Sequence, residues 1–242
     1  MGGLTVTIYE TGAYLETNSD WHEEDGAWKA GQILKMLAKQ SLKPSTIVDV
    51  GCGAGEVLST LAHSLDADVK CQGFDIAEVA INIAKRKETS SLQFKVSDFL
   101  VENREIYDLV LLMDVFEHVP DYLGFLSQLR KSGHHFLFHI PLDMNVLHVL
   151  LDHQTRSRAE AGHLHYFSKS SALLTLEDAG FDVIDWFYTP VFQTAKAKRS
   201  LSKRLIELPR AAGLAFCPDF SVRLLGGCSL LVLAKPALKK DI

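Results

Sequence analysis

Gly51, Gly53 and Gly55 stand within five positions, directly after a run of β-branched residues that ends beside Asp49. Glycine loses more conformational entropy on folding than any other residue, so three together mark a backbone that side chains would obstruct. Between a strand and a helix, the pattern describes a tight turn where a ligand lies against main chain at a helix N-terminus. The spacing discriminates between ligands. A dinucleotide site uses G-x-G-x-x-G, but the third place of that pattern is Glu56, and the glycine arrives one residue early at Gly55. A glutamate at the helix start repels a pyrophosphate. Asp75 follows Gly55 by twenty residues, where a carboxylate at a strand end accepts both hydroxyls of a ribose. The expected ligand has a ribose and no pyrophosphate.

A second set of residues offers proton chemistry. Histidine exchanges protons near pH 7. Of the ten histidines, His139, His148, His153, His163 and His165 fall in one stretch, and His118 precedes it. His163 and His165 flank Leu164, so an extended chain aims both one way, either to act in a pocket that their loop walls or to cap and brace that loop. His148 and Asp152 are four apart and would share a helix face, with Asp143 and His153 nearby. None of these spacings is diagnostic of metal ligation, and no metal is expected.

Strands and helices must bring these groups together. "STIVDV", "VKCQGFD", "LQFKV", "YDLVLLM" and "HHFLFHI" read as buried strands, and helical apolar spacing fills the intervals between them. "SKSSALLTLEDAG" is a capped helix ending at Gly180, "FDVIDWFY" a further strand, and "GGCSLLVLAKP" the last. Alternation of this kind gives an α/β fold, an open, doubly wound, mostly parallel sheet with helices on both faces. Ligands in such sheets sit beyond the carboxyl ends of the strands. That edge holds Asp49 to Gly55, Asp75, Asp98 and "MDVFEHVPD".

Hydrophobic residues make up 47% of the 242 residues and charged ones 23%, enough for a sizeable core. A formal charge of −5 offers no global surface for nucleic acid. Cys52, Cys71, Cys217 and Cys228 lack CxxC spacing and read as reduced thiols. With no apolar run of spanning length and no basic-then-apolar leader at the start, a cytoplasmic protein is expected.

In "VDVGCGAGE", "GFDIAEVAINIAK", "VSDFL", "YDLVLLMDVFEHVPD" and "HLHYFSKSSALLTLEDAGFDVID", residues 46–187 resemble the class I S-adenosylmethionine-dependent methyltransferases in order and spacing. Within that class, the resemblance is nearest to quinone and small-molecule O-methyltransferases. It implies a Rossmann-like sheet of seven strands, the last antiparallel. It also implies S-adenosyl-L-methionine as cofactor and a small-molecule acceptor, lipid-linked or quinone-like ones included. Carried over, Asp49, Gly51, Cys52, Gly53 and Gly55 cradle the methionine part of the cofactor. Asp75 holds the ribose, Ile76 packs on the adenine, Asp98 accepts the adenine amino group, and Phe99 packs beside it. Met113 and Asp114 line the pocket floor, with His118 near the sulfonium. His118, His163 and His165 are the candidate catalytic residues.

Two additions flank this unit. Residues 1–45 are expected to form a helical lid over the cofactor, with Lys29 a partner for the methionine carboxylate and Tyr14, Trp21 and Trp28 as cover. Residues 46–190 and 226–238 form the cofactor-binding domain, and 191–225 a basic helical cap. Lys196, Lys198, Arg199, Lys203, Arg204 and Arg210 cluster there in a net-acidic chain, a pattern suited to an anionic membrane or acceptor. The rival readings are a nicotinamide-dependent oxidoreductase, disfavoured by Glu56, and a non-catalytic cofactor-binding module of the same fold.

Overall fold

In the computed structural model, which describes residues 23–191 and 204–238, the apolar runs pair into one seven-stranded sheet. The chain enters through α1 (Glu23–Gln40), then runs β1 (Thr46–Val50), α2 (Glu56–Ser64), β2 (Lys70–Asp75), α3 (Glu78–Ala84) and β3 (Leu92–Val96). It continues through the single turn α4 (Phe99–Glu102), β4 (Tyr107–Met113), α5 (Tyr122–Leu129) and β5 (Gly133–Pro141). Two short helices follow, α6 (Val146–Leu150) and α7 (His153–Glu160), then α8 (Lys169–Asp178) and β6 (Phe181–Pro190). α9 (Arg204–Phe216), α10 (Pro218–Leu225) and β7 (Cys228–Pro236) complete it.

The strand order is β3-β2-β1-β4-β5-β7-β6, parallel except for β7, which runs antiparallel to both β5 and β6. The order reverses between β1 and β4, which opens a crevice at the carboxyl ends of those strands. Both faces of the strands are apolar because both are covered. Ile47, Leu109, Leu111, Leu137 and Leu231 face a core shared with α1, α2 and α3. Their neighbours Val48, Val110, Leu112, Phe138 and Leu230 face a second core, with Leu126 of α5 and Leu176 of α8.

The local chemistry anticipated for α8 is present. The Ser168 hydroxyl accepts from the Ser171 N–H, the Ser171 hydroxyl accepts from the Ser168 N–H, and Gly180 at φ 87° ends the segment. α1 is a structural layer: Ala30, Ile33, Met36 and Leu37 are buried against α2 and the sheet. The described part of the segment expected as a lid is therefore a core helix, with only Asp25, Trp28 and Lys29 reaching the cavity described below. Tyr14, Trp21 and most of the basic cluster (Lys196, Lys198, Arg199, Lys203) lie outside the described residues. The cap's described part is the pair α9–α10, inserted between two paired strands: Pro190, where β6 ends, is the partner of Cys228, where β7 begins. Among the described residues, no helix is long and apolar enough to cross a membrane.

Candidate active site

All three turn glycines are left-handed, with φ of 77° at Gly51, 54° at Gly53 and 77° at Gly55. The reason differs between them. A Cβ on Gly55 would lie 2.6 Å from the Phe94 ring and 2.9 Å from Ala84, so this glycine lets α2 seat on β3 and α3. A Cβ on Gly51 would meet Val115 at 2.8 Å. The expectation that a bare turn leaves room for ligand is thus corrected at these two positions, where the space belongs to the protein.

The turn's N–H groups are also spent internally. Gly51 and Cys52 both donate to the Phe74 carbonyl (2.8 and 3.0 Å), and Gly55 donates to Cys52 (3.0 Å). Gly53 donates to Asp75 Oδ2 at 2.8 Å. Glu56, at the helix start, pairs with Lys87 at 3.0 Å. A dinucleotide site needs such donors turned towards a pyrophosphate, and here they are not.

Asp75 is fixed from two sides, since its Oδ1 accepts from the Ala77 N–H at 2.8 Å. Burial raises its pKa, and the backbone donors oppose the rise without cancelling it. Each oxygen retains a lone pair for a hydroxyl donor. Ile76, beside it, is 49% exposed and lies on the rim of the cavity. Asp98 caps α4 by accepting from the Leu100 N–H through Oδ1, while its Oδ2 has no hydrogen-bond partner among the described residues. Phe99 is a core residue, edge-on to Phe74 at 5.1 Å, and shows little surface to the cavity.

Asp49 is buried, and its Oδ1 has no hydrogen-bond partner among the described residues. Burial, then the nearby Asp75 charge, push its pKa up to about 7 against the opposing pull of Lys29. An orphaned carboxylate oxygen beside a cavity is a receptor for a cation.

Behind Asp49, four side chains from different elements form one network. Asp114 follows β4 in a left-handed conformation (φ 61°) and pairs with Lys29 Nζ at 2.7 Å and His139 Nδ1 at 2.6 Å. His139 Nε2 reaches Thr189 at 2.9 Å, and Trp28 lies edge-on to its ring at 6.2 Å. Burial alone would lift the Asp114 pKa, but His139 and Lys29 hold it well below the usual carboxylate range. Burial on its own would lower the Lys29 pKa, but the charge and hydrogen bond of Asp114, with the Asp25 and Glu117 charges, together raise it. The residue expected to meet a methionine carboxylate thus already holds an anion. Met113 is the partner of His139 across β4 and β5, and it too lines the cavity.

The histidines divide. His118 ends a short turn after β4, with Nδ1 3.1 Å from the Gly162 carbonyl and its ring edge-on to His163 at 4.9 Å. His163 Nδ1 lies 2.8 Å from Asp143 Oδ2 and 3.0 Å from the Ser157 hydroxyl. Both line the cavity. His165 does not: its Nε2 meets the Val119 carbonyl at 3.1 Å and its ring packs on Tyr122 at 4.5 Å. The shared orientation expected of His163 and His165 fails because this stretch is irregular, with the N–H groups of Leu164 and His165 both donating to the Glu117 carbonyl. Glu117 is buried behind them; among the described residues neither side-chain oxygen has a hydrogen-bond partner, Oε1 lying 3.9 Å from His118 Nε2, and burial followed by the Asp114 charge raises its pKa well above the usual range.

Lys29, Asp49, Asp114, His118, His139 and His163 line one continuous cavity of about 1060 Å³ that also takes in Asp75, Ile76 and Asp98 and, from other elements, His148, His153 and Arg210. A family model described as a methyltransferase domain matches residues 21–185, well over half of the chain. This chain belongs to the class I S-adenosylmethionine-dependent methyltransferases.

Among its relatives in this methyltransferase family are ubiquinone biosynthesis O-methyltransferases. That of Hydrogenovibrio crunogenus is 29% identical over 136 residues, 51% of this chain and 55% of that protein. That of Aliivibrio fischeri (strain MJ11) is 33% identical over 151 residues, 56% of this chain and 63% of that protein. The matched stretch thus spans less than two thirds of either relative's length. A methyltransferase from Thiobacillus denitrificans, solved with S-adenosyl-L-homocysteine, superposes with a TM-score of 0.62 at 16% identity, over 93% of this chain and 98% of that one. That likeness is one of fold. The family's cofactor is S-adenosylmethionine, and the site suits its parts: a rigid Asp75 for a ribose, an uncovered Ile76 for a flat ring, and the orphaned Asp49 for an ammonium group.

Leu100, Phe125 and Leu142, which the sequence did not single out, also line the cavity, as do Trp28, expected as cover, and His139, read only as one member of a histidine-rich stretch. His139 carried a signal: a polar residue inside the apolar strand "FLFHI", opposite the last residues of β4.

Proposed function

We propose that the protein transfers a methyl group from S-adenosylmethionine to a hydroxyl of a small, largely apolar acceptor. The observation that carries this reading is the continuity of the cavity beyond the cofactor residues into a chamber lined by Phe125, Leu142, Leu147 and Leu151 with His118 and His163 on its wall. Bound S-adenosylmethionine supplies an electrophilic methyl carbon, whose bond to the sulfonium breaks with its electron pair going to sulfur. Asp75 orients the ribose, Asp98 Oδ2 and Ile76 receive the adenine, and Asp49 takes the methionine ammonium. The Lys29–Asp114–His139 network fixes the floor and keeps Asp114 ionised. Holding acceptor and donor in attack geometry supplies about 7 to 11 kcal/mol of the barrier reduction. The Asp143 carboxylate accepts from His163 Nδ1, which leaves Nε2 as the basic atom that receives the acceptor's hydroxyl proton. The O-methyltransferase relatives support an oxygen acceptor.

The test is incubation with methyl-labelled S-adenosylmethionine and a panel of phenols, catechols and hydroxyquinones, with label transfer and release of S-adenosylhomocysteine as readouts. Transfer to an aromatic hydroxyl is the expected result. Cofactor binding with no turnover on any acceptor class would favour the non-catalytic module.

We also propose that the cap makes peripheral contact with an anionic membrane. Leu208, Phe216 and Phe220 are 76%, 86% and 67% exposed on α9 and α10, next in sequence to the cluster from Lys196 to Arg204. α10 packs on α6, whose Val149 and Leu150 are also exposed. Cosedimentation with anionic but not neutral vesicles, weakened by salt, is expected. Equal binding to both, or to neither, would remove this reading.

A further inference from the structure

We propose that Asp143, His148 and His153 form a binding site for a first-row divalent cation, Zn²⁺ or Co²⁺ in type, at the acceptor end of the cavity. The three offer one ligand atom each within 4.8 Å of one another, and all three line the cavity. The relation of the two histidines depends on a break in the chain. Asp152, at φ 51°, is the N-cap of α7 directly after the Leu151 cap of α6, so the two helices are separate, and His148 and His153 stack face to face at 4.0 Å with planes 10° apart. In one unbroken helix, residues five apart would point to different sides. The sequence expectation that His148 and Asp152 share a face is corrected by the same break.

Among the described residues, neither His148 Nδ1 nor His153 Nδ1 has a hydrogen-bond partner, although both atoms are buried. In either protonation state, a buried ring nitrogen without a partner is an unmet donor or acceptor. Asp143 divides its carboxylate: Oδ2 serves His163 and Ser157, while Oδ1 lies 3.7 Å from His148 Nδ1, too far for a hydrogen bond. One cation would satisfy both nitrogens and Oδ1 together. Two imidazoles and a carboxylate select a borderline transition ion over magnesium or calcium. Three protein ligands leave a position open towards the cavity, the pattern of a reactive rather than a structural site. With metal–nitrogen bonds of about 2.0 to 2.1 Å made in the plane of each ring, loading requires the two stacked rings to turn out of parallel until both planes meet at the ion. The open position would take an oxygen of the acceptor. That use rests on the proposed methyl transfer; the binding itself does not.

The test is therefore made without cofactor or acceptor. Titration of Zn²⁺ into the full chain should show one site, and Asp143→Asn, His148→Ala and His153→Ala should each weaken it by at least about 100-fold, the upper end of what losing a mere orienting partner costs. His118→Ala should leave it unchanged, which separates this site from the neighbouring Glu117–His118–His163 group. Cu²⁺ bound to the unaltered chain should show two nitrogen ligands by electron paramagnetic resonance, a readout independent of any variant's folding. No saturable binding, binding lost with His118 but kept without His148, or a copper spectrum with no nitrogen would each overturn the proposal. Methyl transfer unaffected by a chelator would leave the binding result standing and count only against the site's use in that reaction.

Discussion

Lys29, on the helix before the first strand, holds Asp114, beyond the fourth, through an ion pair of 2.7 Å. This contact ties α1 to the catalytic edge of the sheet and fastens a residue in a left-handed conformation that non-glycine residues avoid. Lys29→Met leaves a partly buried carboxylate with His139 as its remaining partner. The loss expected is about 3 kcal/mol, read from the midpoint of chemical unfolding. An unchanged midpoint would show that the pair contributes nothing net.

Asp75→Ala removes an acceptor already anchored by Gly53 and Ala77. Affinity for S-adenosylhomocysteine should fall by about 1.5 to 3 kcal/mol for each charged hydrogen bond lost, measured by calorimetry on a variant with a native circular dichroism spectrum. Full affinity in that variant would remove Asp75 from the ribose site.

The proposed role of Asp49 should make cofactor binding depend on pH. Its pKa is raised from 3.8 to about 7, so between those values the folded chain keeps a proton that the unfolded chain has released. Stability therefore falls as pH rises through that window. Binding of an ammonium group runs the other way, because it requires the ionised carboxylate. Affinity should climb by about tenfold per pH unit below 7 and level off above it, with proton release on binding. In Asp49→Asn, the slope should vanish. A flat profile in the unaltered protein would show that Asp49 does not meet the cation.

Gly55→Ala places a methyl group against Phe94 and imposes a left-handed backbone on alanine. The backbone alone costs about 1 to 2 kcal/mol. A lower melting temperature is expected, with part of the loss recovered by a second change, Phe94→Leu. No recovery would mean that the strain lies in the backbone and not in the packing.

His163 and His165 should separate in kinetics. His163→Ala is expected to lower kcat by about a hundredfold to ten-thousandfold, the range for a lost general base, without changing cofactor affinity. His165→Ala should lower the melting temperature and leave kcat near its starting value, because its ring braces Tyr122 and the Val119 carbonyl. A reversed pattern would exchange their roles.

The sheet was legible because parallel strands buried on both faces appear as short apolar runs, and because Ser168 and Gly180 mark the bounds of α8 so clearly. The place of Asp75 at the end of β2, beside the glycine turn, was legible from spacing alone. The proton chemistry was not. His139 meets Asp114 only through the pairing of β4 with β5, and no local pattern encodes that register. The break at Asp152 comes from an aspartate in a conformation that few sequences announce, and it decides which histidines meet. His165 shows the limit of alternation, which predicts side-chain direction only where the backbone is extended. At Gly51 and Gly55, residue type was right for a reason the sequence hid, because Val115 and Phe94 come from distant strands and loops.

The cap departs from the sheet after Pro190 and rejoins it at Cys228, two residues that already face each other across one rung. A segment with both ends on a single rung can be lengthened, shortened or replaced while the cofactor half keeps its shape, since no other strand must move to accommodate it. The proposed acceptor chamber takes Val191, Glu207, Arg210 and Gly227 from this excursion, whereas Asp49, Asp75 and Asp98 come from β1, the end of β2 and the loop after β3. Acceptor choice is thus expected to follow this module, and exchanging the segment between Pro190 and Cys228 for that of another family member should alter it.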